Sequence, residues 1–330
     1  MSSVDVMATS RRPSATNRPV AAFLGATALV IAVCVPAFLP PFYVQFLALV
    51  LTYATWALSF GLVMGHLGLT SFGHAALFGG GAYAATLVGL HIAPSLALSL
   101  LAGAIFGAFI GAVMGVVLGR LNGVAFAIGS LAFGGMIYQI AHGWVDVTGG
   151  SDGLVGLALP TLWGIKLGRA GLYWSALAVM VVSVTAMVVG LRSRYGMLLH
   201  AVRDNRVRAE ASGVPVFLVR CIVLAMSGMM AGAAGAISAY IIGSVAPSAV
   251  NWTGSGDVLV MGILGGVRSI AGPIIGAFLF TILEQFLSQT VADYRLLLGL
   301  IFMAIVVLLP SGLSALFEQR ATGNEEAPDA

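Results

Sequence analysis

Glu284 and His74 fall inside long apolar runs of this 330-residue chain, and a carboxylate or imidazole in that setting could carry a proton across a membrane. Glu284 lies toward the end of its run, where interfacial water can solvate it without any pathway. His66 and His74 have nothing acidic at ligand spacing, so no metal site is expected, and His74 could equally bond a neighbouring helix. Cys34 and Cys221 sit in or beside apolar runs without metal or redox spacing and read as packed side chains. No nucleophile is paired with a base, which argues against an enzyme. The single lysine, Lys166 in "WGIKLG", belongs to no phosphate loop, so the chain cannot hydrolyse ATP alone and no cofactor of its own is expected.

Elements that hold such residues must live in a bilayer. Hydrophobic residues make up 59% of the chain and charged ones 8%, against about 25% charged in a soluble domain. The expectation is an all-α polytopic membrane protein with lipid around it and no nucleic-acid partner. Windows of roughly 20 apolar residues fall near 20–39, 43–63, 95–119, 121–141, 171–191, 217–241, 270–288 and 295–311. The first is too long for a secretory signal and ends in Pro36, Pro40 and Pro41, so it reads as a retained span; nothing amphipathic follows to favour a transit peptide. Two glycine-rich segments counted as further crossings give about ten spans. All basic residues except Lys166, Arg169 and Arg295 then fall on the side of the N-terminus, which places both termini in the cytoplasm. The expected organisation is a tail at 1–19, a transmembrane domain at 20–312 with a cytoplasmic loop at 192–216, and a second tail at 313–330.

The first glycine-rich segment, "GHLGLTSFGHAALFGGGAYAA" at 65–85, contains Ser71, Gly73, His74, Gly79, Gly80 and Gly81. Three consecutive glycines each cost a helix about 1 kcal/mol relative to alanine, so something must compensate. Small residues let helix backbones approach closely; alternatively, an unwound segment turns its amides and carbonyls toward a protein-lined cavity. The second segment, "GSGDVLVMGILGGVRSIAGPIIGA" at 254–277 with Gly265 and Gly266, runs the opposite way in the assigned orientation. Paired, interrupted and oppositely directed segments point to an inverted repeat with a pathway between its halves. Between them "TGGSDG", with Gly149, Gly150, Ser151 and Asp152, reads as a turn cluster in an outer loop.

The most polar stretch is "LRSRYGMLLHAVRDNRVRAEASGVPV" at 191–216. Asp204 or Asn205 can cap a short helix, Gly213 can end it in the left-handed conformation, and Pro215 blocks continuation. A basic strip could merely meet anionic lipid, but compact caps favour a docking surface for a soluble partner.

In order along the chain, "GLTSFGHAALFGGGAYAA", "RLNGVAFAIGSLAFGGMIYQI", "TGGSDGL", "LLHAVRDNRVRAEASGV", "MSGMMAGAAGAI" and "ILGGVRSIAGPIIGA" closely resemble the branched-chain amino acid ABC transporter permeases of the LivM type, over roughly residues 58–286. The resemblance implies a bacterial inner-membrane permease. Its implied partners are a second, similar permease, two cytoplasmic ATPases that bind ATP and Mg, and a periplasmic substrate-binding protein. Arg203, Asp204, Asn205, Ala209, Glu210 and Gly213 match the family's ATPase-docking loop, while the opening segment and "TGGSDG" match blocks near its translocation path. The implied activity is ATP-driven import of branched-chain or related amino acids, with urea, amides and aromatic acids as the cargo of similar relatives. The rival readings are a self-sufficient secondary transporter using Glu284 or His74, and a purely structural membrane subunit.

Overall fold

A computed structural model describes residues 33–162, 164–290 and 293–308. Both tails, and most of the window at 20–39, lie outside the described residues. Besides a single helical turn at Val145–Thr148, the principal helices are α1 (Pro41–Gly61), α2 (His74–His91), α3 (Leu96–Leu118), α4 (Gly123–Gly143), α5 (Arg169–Arg192), α6 (Arg194–Asp204), α7 (Arg206–Ala211), α8 (Val216–Ile242), α9 (Trp252–Gly265), α10 (Ala271–Thr290) and α11 (Tyr294–Leu308). Six helices among the described residues are long and apolar enough to cross a membrane, α1 with its extension to Leu67 together with α3, α4, α5, α8 and α10, and the apolar stretch Tyr294–Ile305 is shorter. The chain is therefore a multi-pass membrane protein.

Two-residue strands form two small antiparallel pairs. β1 (Leu154–Val155) pairs with β4 (Ser244–Val245), and β2 (Thr161–Leu162) with β3 (Ile165–Lys166).

In lipid the hydrophobic effect gives helices little reason to associate, so close packing must hold them. The contact between α3 and α8 is built for it. Gly103, Gly107, Gly111 and Gly115 recur at every fourth position of α3, one stripe of the helix. Added side chains there would meet α8 backbone at Gly232, Gly228, Leu224 and Cys221 in turn, so the two helices run antiparallel at glycine distance. The opposite side of α3 turns Ile105, Phe109 and Val116 outward, as a lipid face does.

α1 is the central post, buried from Val50 to Gly61 except at Tyr53. It continues as a wider π-helical turn, Leu62–Leu67, which Gly68 ends at φ 78°. Pro273 of α10 packs on Gly61, and Val267 packs on Gly65.

Candidate functional site

The first glycine-rich segment contains a helix break, and the break precedes the triple glycine. Residues 68–73 are non-helical, whereas α2 runs unbroken through Gly79, Gly80 and Gly81. A side chain on Gly81 would overlap the Gly232 backbone, and a Cβ on Gly79 would lie 2.7 Å from Ala249 O. Gly80 faces side chains alone, the flexible tip of Ile110 and, at ordinary contact distance, the Phe106 ring. Close backbone approach thus accounts for the first and third glycines of the run.

Polar groups inside the break find partners on other helices. Phe72 N donates to Ser130 Oγ at 2.9 Å, and Ser130 Oγ donates to Ala127 O at 2.8 Å. Gly73 is pressed on α4 so tightly that a Cβ would overlap Ser130 O. His74, wholly buried, lies 2.9 Å from Ser59 Oγ through Nε2, and Ser227 Oγ donates to Ser59 O at 2.8 Å. Ser71 is also wholly buried, and its hydroxyl has no partner among the described residues.

A second break spans 243–251. α8 stops at Gly243 with φ 82°, the chain passes through β4 and a 3-10 turn at Pro247–Val250, and Asn251 caps α9 by accepting from Thr253 N at 3.1 Å. The "TGGSDG" turn closes over this segment. Gly149, Gly150 and Gly153 all have positive φ, and a side chain on Gly153 would overlap Val245 O. Ser151 and Asp152 remain exposed, with Ser151 Oγ donating to Asp152 Oδ1 at 3.3 Å.

The two breaks meet where Ala75 N, in the first turn of α2, donates to Ser255 Oγ of α9 at 2.9 Å. From that contact the helices diverge. α2 runs toward Tyr240, which it meets at Gly89, and α9 runs toward Gly65 and Val267. Gly265 then abuts Gly272 closely enough that a side chain would overlap its carbonyl, while Gly266 turns the chain with φ 95°.

The polar loop is two helices rather than one. Ser193 caps α6, accepting from Tyr195 N at 3.2 Å, and Asp204 is the last residue of that helix. Asn205 caps α7, with Oδ1 accepting from Arg208 N at 2.9 Å, and Gly213 follows α7 at φ 82°, its N–H donating to Glu210 O at 3.0 Å.

The inner face of the loop is fastened to the membrane helices. Arg206 Nη1 donates to Arg120 O at 3.0 Å and to Asn122 Oδ1 at 2.8 Å, while its Nε donates to Glu210 at 2.8 Å. Arg220, buried in the first turns of α8, donates to Gly119 O at 3.0 Å, Leu121 O at 2.7 Å and Asn122 Oδ1 at 2.8 Å. Carbonyls at a helix C-terminus carry partial negative charge, so this guanidinium closes the end of α3 electrostatically as well as by hydrogen bonding. Arg203 packs over Gly68, and the His200 ring lies edge-on to His66 at 5.7 Å. Ala209 is buried. The outer face keeps Asp204, Val207, Arg208 and Glu210 exposed, Val207 at 75%.

Asn122, Arg206, Arg220 and Val207 are not singled out by the sequence reading. An Arg in a basic strip looks like any other until its acceptors, about a hundred residues away, are known. No group of three metal-ligating side chains occurs among the described residues.

Apolar helices in close glycine contact, two broken segments meeting inside them and a capped loop fastened to their ends describe a membrane-embedded subunit of the permease kind. A family model described as branched-chain amino acid transport system / permease component matches residues 42–308, and the chain belongs to that family. The high-affinity branched-chain amino acid transport system permease protein LivM of Escherichia coli is 25% identical, with 86% of this chain and 73% of that protein covered. The autoinducer 2 import system permease protein LsrC of Klebsiella pneumoniae is 28% identical over 57% of this chain and 55% of its own length. The xylose transport system permease protein XylH of Escherichia coli is 32% identical over 31% of this chain and 28% of its own length. No solved structure matches the chain.

Proposed function

We propose that the chain is the membrane-spanning permease subunit of an ATP-driven importer for branched-chain or related amino acids and forms half of the translocation path. It works with a second, similar permease, two cytoplasmic ATPases that bind ATP and Mg, and a periplasmic substrate-binding protein. In this reading residues 20–312 form the transmembrane domain in a bacterial inner membrane, crossing about ten times with both termini cytoplasmic.

The observation that carries the reading is the anchored α7. A short helix capped at both ends, with a hydrophobic residue and charges on its free face, can receive a push from a soluble motor. Arg206 passes that push to the turn between α3 and α4, and Arg203 and His200 pass it toward the break at 68–73. Support for an inverted repeat comes from α2 and α9, each starting after a break and leaving the shared contact in opposite directions. The LivM relative, whose match covers most of both chains, supports amino-acid cargo over sugar. His74 is wholly buried, 2.9 Å from Ser59 Oγ and edge-on to Phe60, which disfavours a self-sufficient carrier at that residue.

Affinity purification of the tagged chain from native membranes tests the assembly. ATPase and a second permease should be retained by the wild-type chain, and ATPase should be lost when Val207→Asp places an unpartnered charge on the free face of α7. Retention unaffected by that change would show that α7 is not the docking element.

A further inference from the structure

The described surface of α5 is what lipid accepts: Val181, Val182 and Val189 point outward. α9 differs in kind. Its outward residues are Trp252, Thr253 and Asp257, the last two four apart on one face. Asp257 has neither a hydrogen bond nor an ion pair among the described residues.

Depth makes this exposure significant. Gly254, one turn before Asp257, packs beneath the Trp56 ring, where an added Cβ would stand 3.3 Å away. Trp56 lies 15 residues from the start and 11 from the end of the Pro41–Leu67 span (56 − 41 and 67 − 56), about 16 Å from the nearer end at 1.5 Å per residue. Asp257, three residues farther toward the Gly65 end than Gly254, therefore lies inside the span, about 12 Å from its nearer end at 1.5 Å per residue. Half-buried Glu284 of α10, Tyr53 of α1 and Arg295 of α11 lie within electrostatic reach of it. A carboxylate exposed at that depth cannot rest against acyl chains; intramembrane charges face protein or water.

We propose that the Thr253–Asp257 face of α9 is the wall of the aqueous path, at the seam where this chain meets the second permease subunit. The proposal rests on the permease reading above and adds to it which face of the chain looks into the path. The break at 243–251 fits this place, because non-helical backbone at membrane depth is tolerated where protein or a watery cavity satisfies it.

The test is thiol accessibility in membrane vesicles holding the whole transporter. Cys34→Ser and Cys221→Ala clear the background, Asp257→Cys probes the wall, and Val182→Cys on α5 is the lipid-facing control. A charged, membrane-impermeant methanethiosulfonate should modify Asp257→Cys at least about tenfold faster than Val182→Cys, since a charged reagent is excluded from lipid, and modification should block uptake. Thr253→Cys, on the same face, serves if Asp257→Cys does not accumulate. Equal, slow reaction at both positions, with reaction only toward a lipid-soluble maleimide, would overturn the proposal. The labelling contrast can be read whether or not ATPases co-purify, so failure of the wall and failure of the importer reading remain distinguishable.

Discussion

Arg206 and Arg220 donate to the same oxygen, Asn122 Oδ1, at 2.8 Å each. One guanidinium belongs to the exposed loop and the other to a buried turn of α8, so a single amide joins the loop, the α3–α4 turn and α8. Movement of α7 cannot leave those helices behind without breaking charged hydrogen bonds, each worth about 1.5–3 kcal/mol.

Replacing Asn122 by Ala should therefore loosen coupling more than folding. Arg220 keeps the carbonyls of Gly119 and Leu121, and Arg206 keeps Arg120 O and the exposed Glu210, the latter pair worth about 1 kcal/mol or less. The expected result is near-normal abundance with less substrate moved per ATP hydrolysed. Arg220→Ala should instead lower the melting temperature in detergent more than Arg206→Ala does, because it leaves the end of α3 unsatisfied. The opposite order would place the main anchor in the loop.

The three consecutive glycines should respond unequally. Gly81→Ala forces backbone apart at Gly232 and should destabilise by about 1–3 kcal/mol with reduced uptake. Gly80→Ala crowds only side chains, chiefly Ile110 Cδ1, and should be milder. Gly135→Ala, on an open face of α4, should be neutral or stabilising by up to about 1 kcal/mol. Thermal melts of the purified variants give the ranking directly.

Gly213→Val puts a β-branched residue at φ 82°, where an ordinary side chain is strained by about 1–2 kcal/mol although nothing lies within 4 Å of it. Glu210→Lys sets a second cation against Arg206. Both variants should insert normally, retain less ATPase and lose uptake at saturating binding protein. Full retention and full uptake in both would remove α7 from the coupling route.

Ser255→Ala should strand the Ala75 amide where the breaks meet, at a cost of about 1–3 kcal/mol. Faster hydrogen exchange at the start of α2, with α3 unchanged, is the expected signature.

These relationships divide by how far apart their residues lie in the chain. The windows for α1, α3, α4, α5, α8 and α10 are legible because apolar length alone decides a span. Asn205 and Gly213 are legible because capping is a matter of a few neighbours. The place of each break is not: the glycines at 79–81 attract attention, yet α2 holds there because Gly232 lets it approach, while the chain opens at 68–73 where Ser130 takes its amide. The Asn122 junction is invisible for the same reason, since its arginines are 84 and 98 residues away. That the polar loop holds two helices follows from Ser193, a cap with no acidic partner downstream to announce it.

In the proposed importer this chain moves its cargo only when an ATPase drives it. Proteoliposomes holding the chain with its permease partner, ATPases and binding protein should accumulate labelled leucine or a related amino acid on addition of MgATP, and should not do so with a nonhydrolysable analogue. Accumulation by the chain alone, driven by an imposed proton gradient without any ATPase, would contradict the account.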